Sequence, residues 1–261
     1  MEALVLDDYM KNLNKLSPFQ LLDFVEKTGM EKTPGIIIEN KIPEYLKSTN
    51  WKIRNIAVKL IGMAKLDNYY NSLLEIVSNR EPASFWQQIC GGDYYQVGFI
   101  RRNALRSFSQ LKTFTPELEK VLLLAFKDPY FEVRTQACLT IADLSSQIND
   151  PVRLVKGLTL LLKDRCFETL AASILALGKI ADSDDILPFF NRFVKYGNWK
   201  VRQALVNALI NLYDRKVCTK VETLNTILDS MVITSTDFKP EFQLKKSLHL
   251  LAKKVAENGH K

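Results

Sequence analysis

Residues 128–144 read DPYFEVRTQACLTIADL, and variants of this pattern return along the chain. If a helix begins at about Phe131, one of its faces carries four apolar residues at helical spacing, namely Val133, Ala137, Ile141 and Leu144. Arg134 lies beside that apolar face. The pattern therefore predicts an amphipathic helix whose small residues let a neighbouring helix approach closely.

Related stretches begin at several other places. Residues 50–66 read NWKIRNIAVKLIGMAKL and residues 198–212 read NWKVRQALVNALINL, so Asn-Trp-Lys-(Ile/Val)-Arg begins two segments 148 positions apart. Weaker copies begin at Phe99, Phe167 and Phe242. This recurrence indicates several copies of one structural unit.

One position of the repeat, which we call the register position, is held by Arg54, Arg101, Arg134, Leu170, Arg202 and Lys245. The separations between successive register positions are 47, 33, 36, 32 and 43 residues, which is typical of stacked two-helix units. Three positions earlier stand Trp51, Gly98, Phe131, Phe167, Trp199 and Phe242. We interpret these aromatic residues as filling the gap between neighbouring units. The alternative is an exposed aromatic row that binds a ligand.

The turn, the (Val/Ile)-Arg pair, a small residue three positions later and an apolar-rich helix together resemble HEAT repeats, especially the short bacterial kind also found in phycobilin lyases. The resemblance covers about residues 36–256. It implies an all-α, right-handed α-solenoid of about six helical pairs, whose second helices line a concave surface. In this family an aspartate in the turn commonly interacts with the repeated arginine. Here only Asp128 and Asp164 lie six residues before the register position, and Asp164 faces Leu170, which cannot pair.

The domain prediction has two parts that form one continuous solenoid. Residues 1–35 are expected to be a pair of N-terminal capping helices, with a helix start at Ser17-Pro18-Phe19-Gln20 and a stop at Gly29. Residues 36–261 are expected to be the repeat array, interrupted by an insert at residues 79–98. In the helix expected over residues 36–47, Pro43 should cause a break or a kink.

The insert, NREPASFWQQICGGDYYQVG, is the candidate site for binding a partner. It concentrates four aromatic residues, Phe85, Trp86, Tyr94 and Tyr95, and aromatic residues dominate the energetics of interfaces. A basic helical stretch with Arg101, Arg102 and Arg106 follows it directly. The alternative is that these aromatic residues fold back over the repeats and only pack.

The register cations suggest a second candidate surface. Arg54, Arg134, Arg202 and Lys245, together with Arg101, would form a basic rail along the concave side. Because a buried guanidinium without a partner destabilises the folded state, each arginine should either remain solvated or bind an anion. The alternative is that each guanidinium donates to helix carbonyls or to a side chain of the turn.

Charge and composition restrict the class of protein. The net charge is +7, and residues 49–261 hold 30 basic against 21 acidic residues, which suggests an acidic partner. The apolar runs are too short to cross a bilayer, and the acidic N-terminal stretch is unlike a secretory signal, so we expect a cytoplasmic protein. Four separated cysteines and two histidines predict neither a metal site nor a cofactor.

Three function classes follow. We expect a non-catalytic scaffold or adaptor that binds a partner protein with an acidic surface or segment, because the repeats account for almost every patterned residue. The alternative is a nucleic-acid-binding protein with a basic groove, related in shape to HEAT-like alkylation-repair glycosylases, although only Trp86 with Asp93 imitates their catalytic pair. An enzyme is disfavoured: the chain lacks the His-Glu pairs of deoxyhypusine hydroxylases, and it resembles bilin lyases only in the repeat.

Overall fold

A computed structural model describes the chain over residues 12–30, 35–79, 93–218, 221–237 and 242–258, with side chains for 12–30, 35–79, 98–218, 222–231 and 243–257. Every regular element in these ranges is helical, as expected for an all-α fold. The α-helices are α1 (Pro18–Thr28), α2 (Gly35–Lys47), α3 (Trp51–Met63), α4 (Tyr70–Ser78), α5 (Asp93–Leu111), α6 (Pro116–Ala125), α7 (Phe131–Asp143), α8 (Val152–Leu161), α9 (Phe167–Ile180), α10 (Leu187–Phe190), α11 (Trp199–Asp214), α12 (Val221–Asp237) and α13 (Phe242–Asn258).

The chain divides into two compact units, Met1–Val121 and Leu122–Lys261. In the first unit α3 packs against α2 and α5, and α5 also packs against α4. In the second unit α9 packs between α7 and α11, and α11 also packs against α13. Helices that carry register positions are thus neighbours within each unit, in chain order. The continuous solenoid and its six helical pairs stay predictions.

The predicted helix start at Ser17 is confirmed. Gln20 N donates to Ser17 Oγ (3.4 Å), and Ser17 N donates to Gln20 Oε1 (3.0 Å), so each residue satisfies a backbone donor of the other. Pro18 takes the first helical position, and Gly29 ends α1 with a φ of 74°. These caps use only neighbouring residues, which explains why sequence alone located them.

Pro43 does not break α2, which runs without interruption from Gly35 to Lys47. A proline leaves the carbonyl four residues earlier without its helical donor, and here that carbonyl belongs to Glu39. The hydroxyl of Tyr69 donates to Glu39 O over 3.4 Å and replaces part of the lost bond. Tertiary packing therefore lets the helix continue past the proline.

The two Asn-Trp-Lys copies begin their helices in the same way. Asn50 accepts from Lys52 N at the start of α3, and Asn198 accepts from Lys200 N at the start of α11, both over 2.9 Å. Both asparagines have extended backbone conformations, as N-cap residues normally do. The sequence repeat is therefore a repeat of local structure.

Neighbouring register helices approach each other closely at a repeated position. A Cβ added to Gly62 of α3 would lie 2.6 Å from Ser107 Oγ and 2.8 Å from Ser107 Cα of α5. A Cβ added to Gly178 of α9 would lie 2.6 Å from Ala208 Cβ and 2.8 Å from Ala208 O of α11. Each glycine stands eight residues after a register position, and each partner stands six residues after the next one. The same helix packing thus occurs once in each unit.

Candidate interaction sites

Two register arginines make the same bonds to the turn that precedes their helix. Arg54 Nη1 donates to the carbonyls of Ser48 (2.7 Å) and Thr49 (3.0 Å). Arg134 Nη1 donates to the carbonyls of Asp128 (2.8 Å) and Pro129 (3.2 Å), which stand at the same positions six and five residues earlier. One guanidinium nitrogen therefore holds the turn through its backbone carbonyls.

The turn itself is also repeated. The side chain six residues before the register position accepts from the backbone N–H two residues later in three copies: Ser48 from Asn50 (3.2 Å), Asp128 from Tyr130 (2.9 Å) and Asp164 from Cys166 (2.8 Å). Short polar side chains commonly stabilise turns in this way. These residues therefore have a structural role before any role in binding.

Asp164 binds the arginine of the preceding copy. Arg134 Nε donates to Asp164 Oδ2 (2.7 Å) and Arg134 Nη2 donates to Asp164 Oδ1 (3.0 Å), a two-bond contact between half-buried and buried groups. Leu170, at the register position of the same copy, cannot pair with Asp164, and the partner comes from the preceding copy instead. The reason is geometric: the turn before α9 lies against the start of α7, so the pair joins residues 30 positions apart.

The electrostatics of this pair agree with its geometry. Burial by itself raises the pKa of Asp164, but the hydrogen bonds from Arg134 and from Cys166 N outweigh it and hold that pKa below its usual range. The hydrogen bond to Asp164 raises the pKa of Arg134. Both groups are therefore charged at neutral pH, and the pair stabilises the contact between α7 and α9.

The remaining members of the predicted rail have other environments. Arg202 is 4% exposed, and its Nε has no hydrogen-bond partner in the described part of the chain. Lys245, on α13, is exposed. The four rail residues thus differ: Arg54 and Arg134 each hold a turn, and Arg134 is also ion-paired. Arg202 is buried with no hydrogen-bond partner for its Nε in the described part of the chain, and Lys245 is exposed.

The aromatic residues at the helix starts are neither fully buried nor isolated. The rings of Trp51 and Phe99 stack with centroids 6.4 Å apart, which supports gap filling between copies. In the second unit, Lys200 Nζ lies 5.9 Å from the ring centroids of both Phe167 and Trp199. Phe131 is 36% exposed, and Trp51, Phe99, Phe167 and Trp199 keep part of their surface in water. Packing and a role in binding are therefore compatible.

The first unit contains a cleft of about 610 Å³ that combines apolar and basic side chains. Its lining consists of Leu46, Lys47, Arg54, Ser72, Glu75, Ile76, Asn79, Ile100 and Arg101. Three cations thus face one carboxylate, and three aliphatic side chains contribute to the wall. Sequence analysis had not selected Lys47, because nothing in the repeat pattern distinguishes a lysine at the end of α2.

Arg54 brings unused hydrogen-bond donors to this cleft. Its Nη1 holds the turn, whereas its Nε and Nη2 donate to no group among the described residues. In Arg134 these same two nitrogens bind the Asp164 carboxylate. The cleft therefore offers the two donors that fit a carboxylate, beside the exposed ammonium group of Lys47.

The predicted aromatic site lies mostly outside the described residues. This holds for Phe85 and Trp86. Tyr94 and Tyr95 belong to the backbone of α5, which begins at Asp93, so the last six residues of the insert are helical and continuous with the next register helix. That the insert binds a partner therefore stays a prediction.

The three arginines that follow the insert do not share one surface. Arg101 is buried and lines the 610 Å³ cleft. The guanidinium carbon of Arg102 lies 5.0 Å from the Phe99 ring centroid, and its nitrogens donate to Asn103 Oδ1. Arg106 is exposed and borders a second cleft of about 200 Å³, which Glu26 and Lys59 also line. Helical rotation separates Arg101 from the other two, because successive residues point about 100° apart.

Within the described residues there is no cluster of three metal-ligating side chains, and no helix there is both long and apolar enough to cross a membrane. Cys138, Cys166 and Cys218 are free thiols, and burial raises the pKa of Cys138. Burial also raises the pKa of Cys166, so Cys138 and Cys166 stay protonated near neutral pH.

No family model matches the chain, and no curated protein matches it. One solved structure with similarity to the chain is the crystal structure of an engineered protein of the Northeast Structural Genomics Consortium. The two sequences are 16% identical, the alignment covers 84% of this chain and 96% of that chain, and the TM-score is 0.47. A similarity of this size says nothing about the function of this chain.

Proposed function

We propose that this protein is a cytoplasmic, non-catalytic scaffold of HEAT-like helical pairs that binds an acidic, partly apolar segment of a partner protein in the 610 Å³ cleft of the first unit. The observation that carries this proposal is Arg54, whose Nε and Nη2 donate to no group in the described part of the chain, while the same nitrogens of Arg134 bind a carboxylate. The arginine fork matches the two oxygens of a carboxylate.

The rest of the cleft suits the same ligand. Lys47 adds a solvated positive charge at the rim, and Leu46, Ile76 and Ile100 offer apolar contact. A segment in which acidic and aliphatic residues alternate would satisfy both features. The repeated turns and helix contacts support the HEAT-like part of the proposal, since equivalent bonds recur 80 positions apart at Arg54 and Arg134.

Binding of a fluorescein-labelled peptide of alternating Glu and Leu, measured by fluorescence polarisation, tests the cleft. We expect Arg54→Lys to weaken binding about fivefold, because lysine keeps the charge but loses the fork. Lys47→Glu should weaken it about tenfold through charge reversal at the rim.

The matched control is Lys120→Glu, which makes the same change of charge on an exposed residue of α6 that does not line this cleft. We expect its affinity for the peptide to stay within about twofold of the unchanged protein. Equal losses for Lys47→Glu and Lys120→Glu would show that only the overall charge attracts the peptide, and the cleft would then be the wrong site.

Nucleic-acid binding is the alternative function, and Lys200 between the half-exposed rings of Phe167 and Trp199 favours it. Such rings stack on bases while the lysine meets phosphate. If this function is correct, labelled oligothymidylate should bind more tightly than the acidic peptide and its affinity should fall steeply with salt. Lys200→Glu should then weaken binding of the oligonucleotide and leave binding of the peptide unchanged.

A further inference from the structure

The 610 Å³ cleft of the first unit is lined by charges of both signs, which come from different helices. The cations come from three helices: Lys47 ends α2, Arg54 lies near the start of α3, and Arg101 lies on α5. The carboxylate comes from a fourth helix, α4, where Glu75 is exposed. A ligand that fills the cleft therefore meets positive charge from three helices and negative charge from α4.

The rotation of α4 turns Glu75 toward the cleft. Leu73 and Val77 are buried and stand four residues apart, so they hold one face of α4 against the rest of the unit. Ser72, Glu75 and Ile76 lie on another face at helical spacing, and all three line the cleft. This face presents a hydroxyl, a carboxylate and an aliphatic side chain to the same space.

Neither polar group on this face has a partner in the described part of the chain. Glu75 forms no hydrogen bond or ion pair there, although three cations line the same cleft, and the hydroxyl of Ser72 makes no hydrogen bond there either. Glu75 is exposed and Ser72 is half-buried, so a ligand in the cleft can reach both. An exposed carboxylate is hydrated, and a ligand that displaces this water must replace its hydrogen bonds.

We propose that Glu75 is a specificity residue of the cleft, which selects partner segments that carry a lysine or arginine beside their acidic and aliphatic residues. This inference rests on the proposed function of the cleft. A cation beside Glu75 gains a counter-charge, and an ammonium group also has donors left for the hydroxyl of Ser72, one turn away. An acidic residue in the same place would be repelled. Because three cations face one carboxylate, the selected segment stays acidic overall.

Competition against the fluorescein-labelled peptide of alternating Glu and Leu, measured by fluorescence polarisation, tests this selection. The first competitor is Glu-Leu-Glu-Leu-Lys-Leu, and its matched control has Gln in place of Lys, which keeps a donor but removes the charge. The reversed sequences of both peptides cover the opposite chain direction. At low ionic strength we expect the lysine peptide to bind about fivefold more tightly than its control in the preferred direction. The net charge of +7 would by itself favour the more acidic glutamine peptide, so a preference for lysine requires a local carboxylate.

Variants of the full chain assign the preference to one residue. Glu75→Gln should abolish the preference for the lysine peptide, because it removes the counter-charge, and Glu75→Lys should reverse the preference by adding repulsion. The matched control is Glu117→Gln, which makes the same change on an exposed residue of α6 that does not line the cleft. It should leave the preference unchanged.

Equal affinities of the unchanged protein for the lysine and glutamine peptides would overturn the inference, and so would a preference that survives Glu75→Gln. Lys47→Glu separates this failure from failure of the proposed function. If Lys47→Glu weakens binding of both peptides and Glu75→Gln changes nothing, the cleft binds acidic segments without this selection, and only the inference about Glu75 is wrong. If neither peptide binds, or if Lys47→Glu and Lys120→Glu weaken binding equally, the cleft is the wrong site and both proposals fail.

Discussion

Replacing Arg134 with Met is expected to lower the free energy of unfolding by about 2–4 kcal/mol, because it leaves the largely buried Asp164 without its partner. The side chains of Arg134 and Asp164 are 18% and 7% exposed, so solvent screens their interaction only in part. Methionine keeps much of the apolar stem of arginine, which limits the loss of packing. Urea unfolding followed by circular dichroism measures the change as a shift of the midpoint at constant slope.

The matched control is Arg202→Met, which changes the same residue type at the same register position. Because Arg202 has no partner to orphan among the described residues, its removal should be neutral or stabilising. If Arg202→Met lowers the free energy of unfolding as much as Arg134→Met does, both arginines act through packing alone. That outcome would contradict the importance of the Asp164 contact.

The pH dependence of Asp164→Asn gives an independent signature of the same pair. The pKa of Asp164 is lowered in the folded protein, so its ion pair contributes fully above the unfolded aspartate pKa of about 3.9 and is lost as pH falls through the folded value. The stability difference between the unchanged protein and Asp164→Asn should therefore be constant from about pH 5 to 8 and shrink below about pH 4. A difference independent of pH down to acid unfolding would exclude a charge effect.

Gly178→Ala is expected to destabilise the second unit by about 1–3 kcal/mol, although alanine normally stabilises a helix relative to glycine by about 1 kcal/mol. The new Cβ would lie 2.6 Å from Ala208 Cβ and 2.8 Å from Ala208 O, and it would also crowd Ala208 Cα. These atoms belong to a backbone that cannot rotate away, so α9 and α11 must separate. Gly178→Val should cost more for the same reason.

Gly35→Ala is the control for this prediction. A Cβ at Gly35 meets no atom within 4 Å, so the substitution should leave the midpoint of urea unfolding unchanged or raise it slightly. If Gly178→Ala stabilises the protein as well, α9 and α11 do not approach as closely as described. The equivalence of their contact to the contact between Gly62 and Ser107 would then also be wrong.

Local rules explain which sequence predictions were confirmed. The predicted cap at Ser17 uses atoms within three residues of each other, so the sequence contains all of its partners. The caps observed at Asn50 and Asn198 are equally local. Helical periodicity likewise involves neighbouring turns of one chain segment. The expected break at Pro43 does not occur. Tyr69, which lies 30 positions from Glu39, donates to the carbonyl that the proline leaves without its helical donor.

The sequence by itself therefore determined the helical class, the register position and the local caps, because each depends on residues only a few positions apart. Tertiary structure decided which register arginines hold a turn, which one also binds an aspartate and which one is buried with no partner for its Nε in the described part of the chain. Asp164 reaches Arg134 across 30 positions only because two helices pack side by side. A shared sequence position thus leads to different chemistry, since the turn carbonyls come from the arginine's own copy whereas the carboxylate comes from the turn before the neighbouring helix.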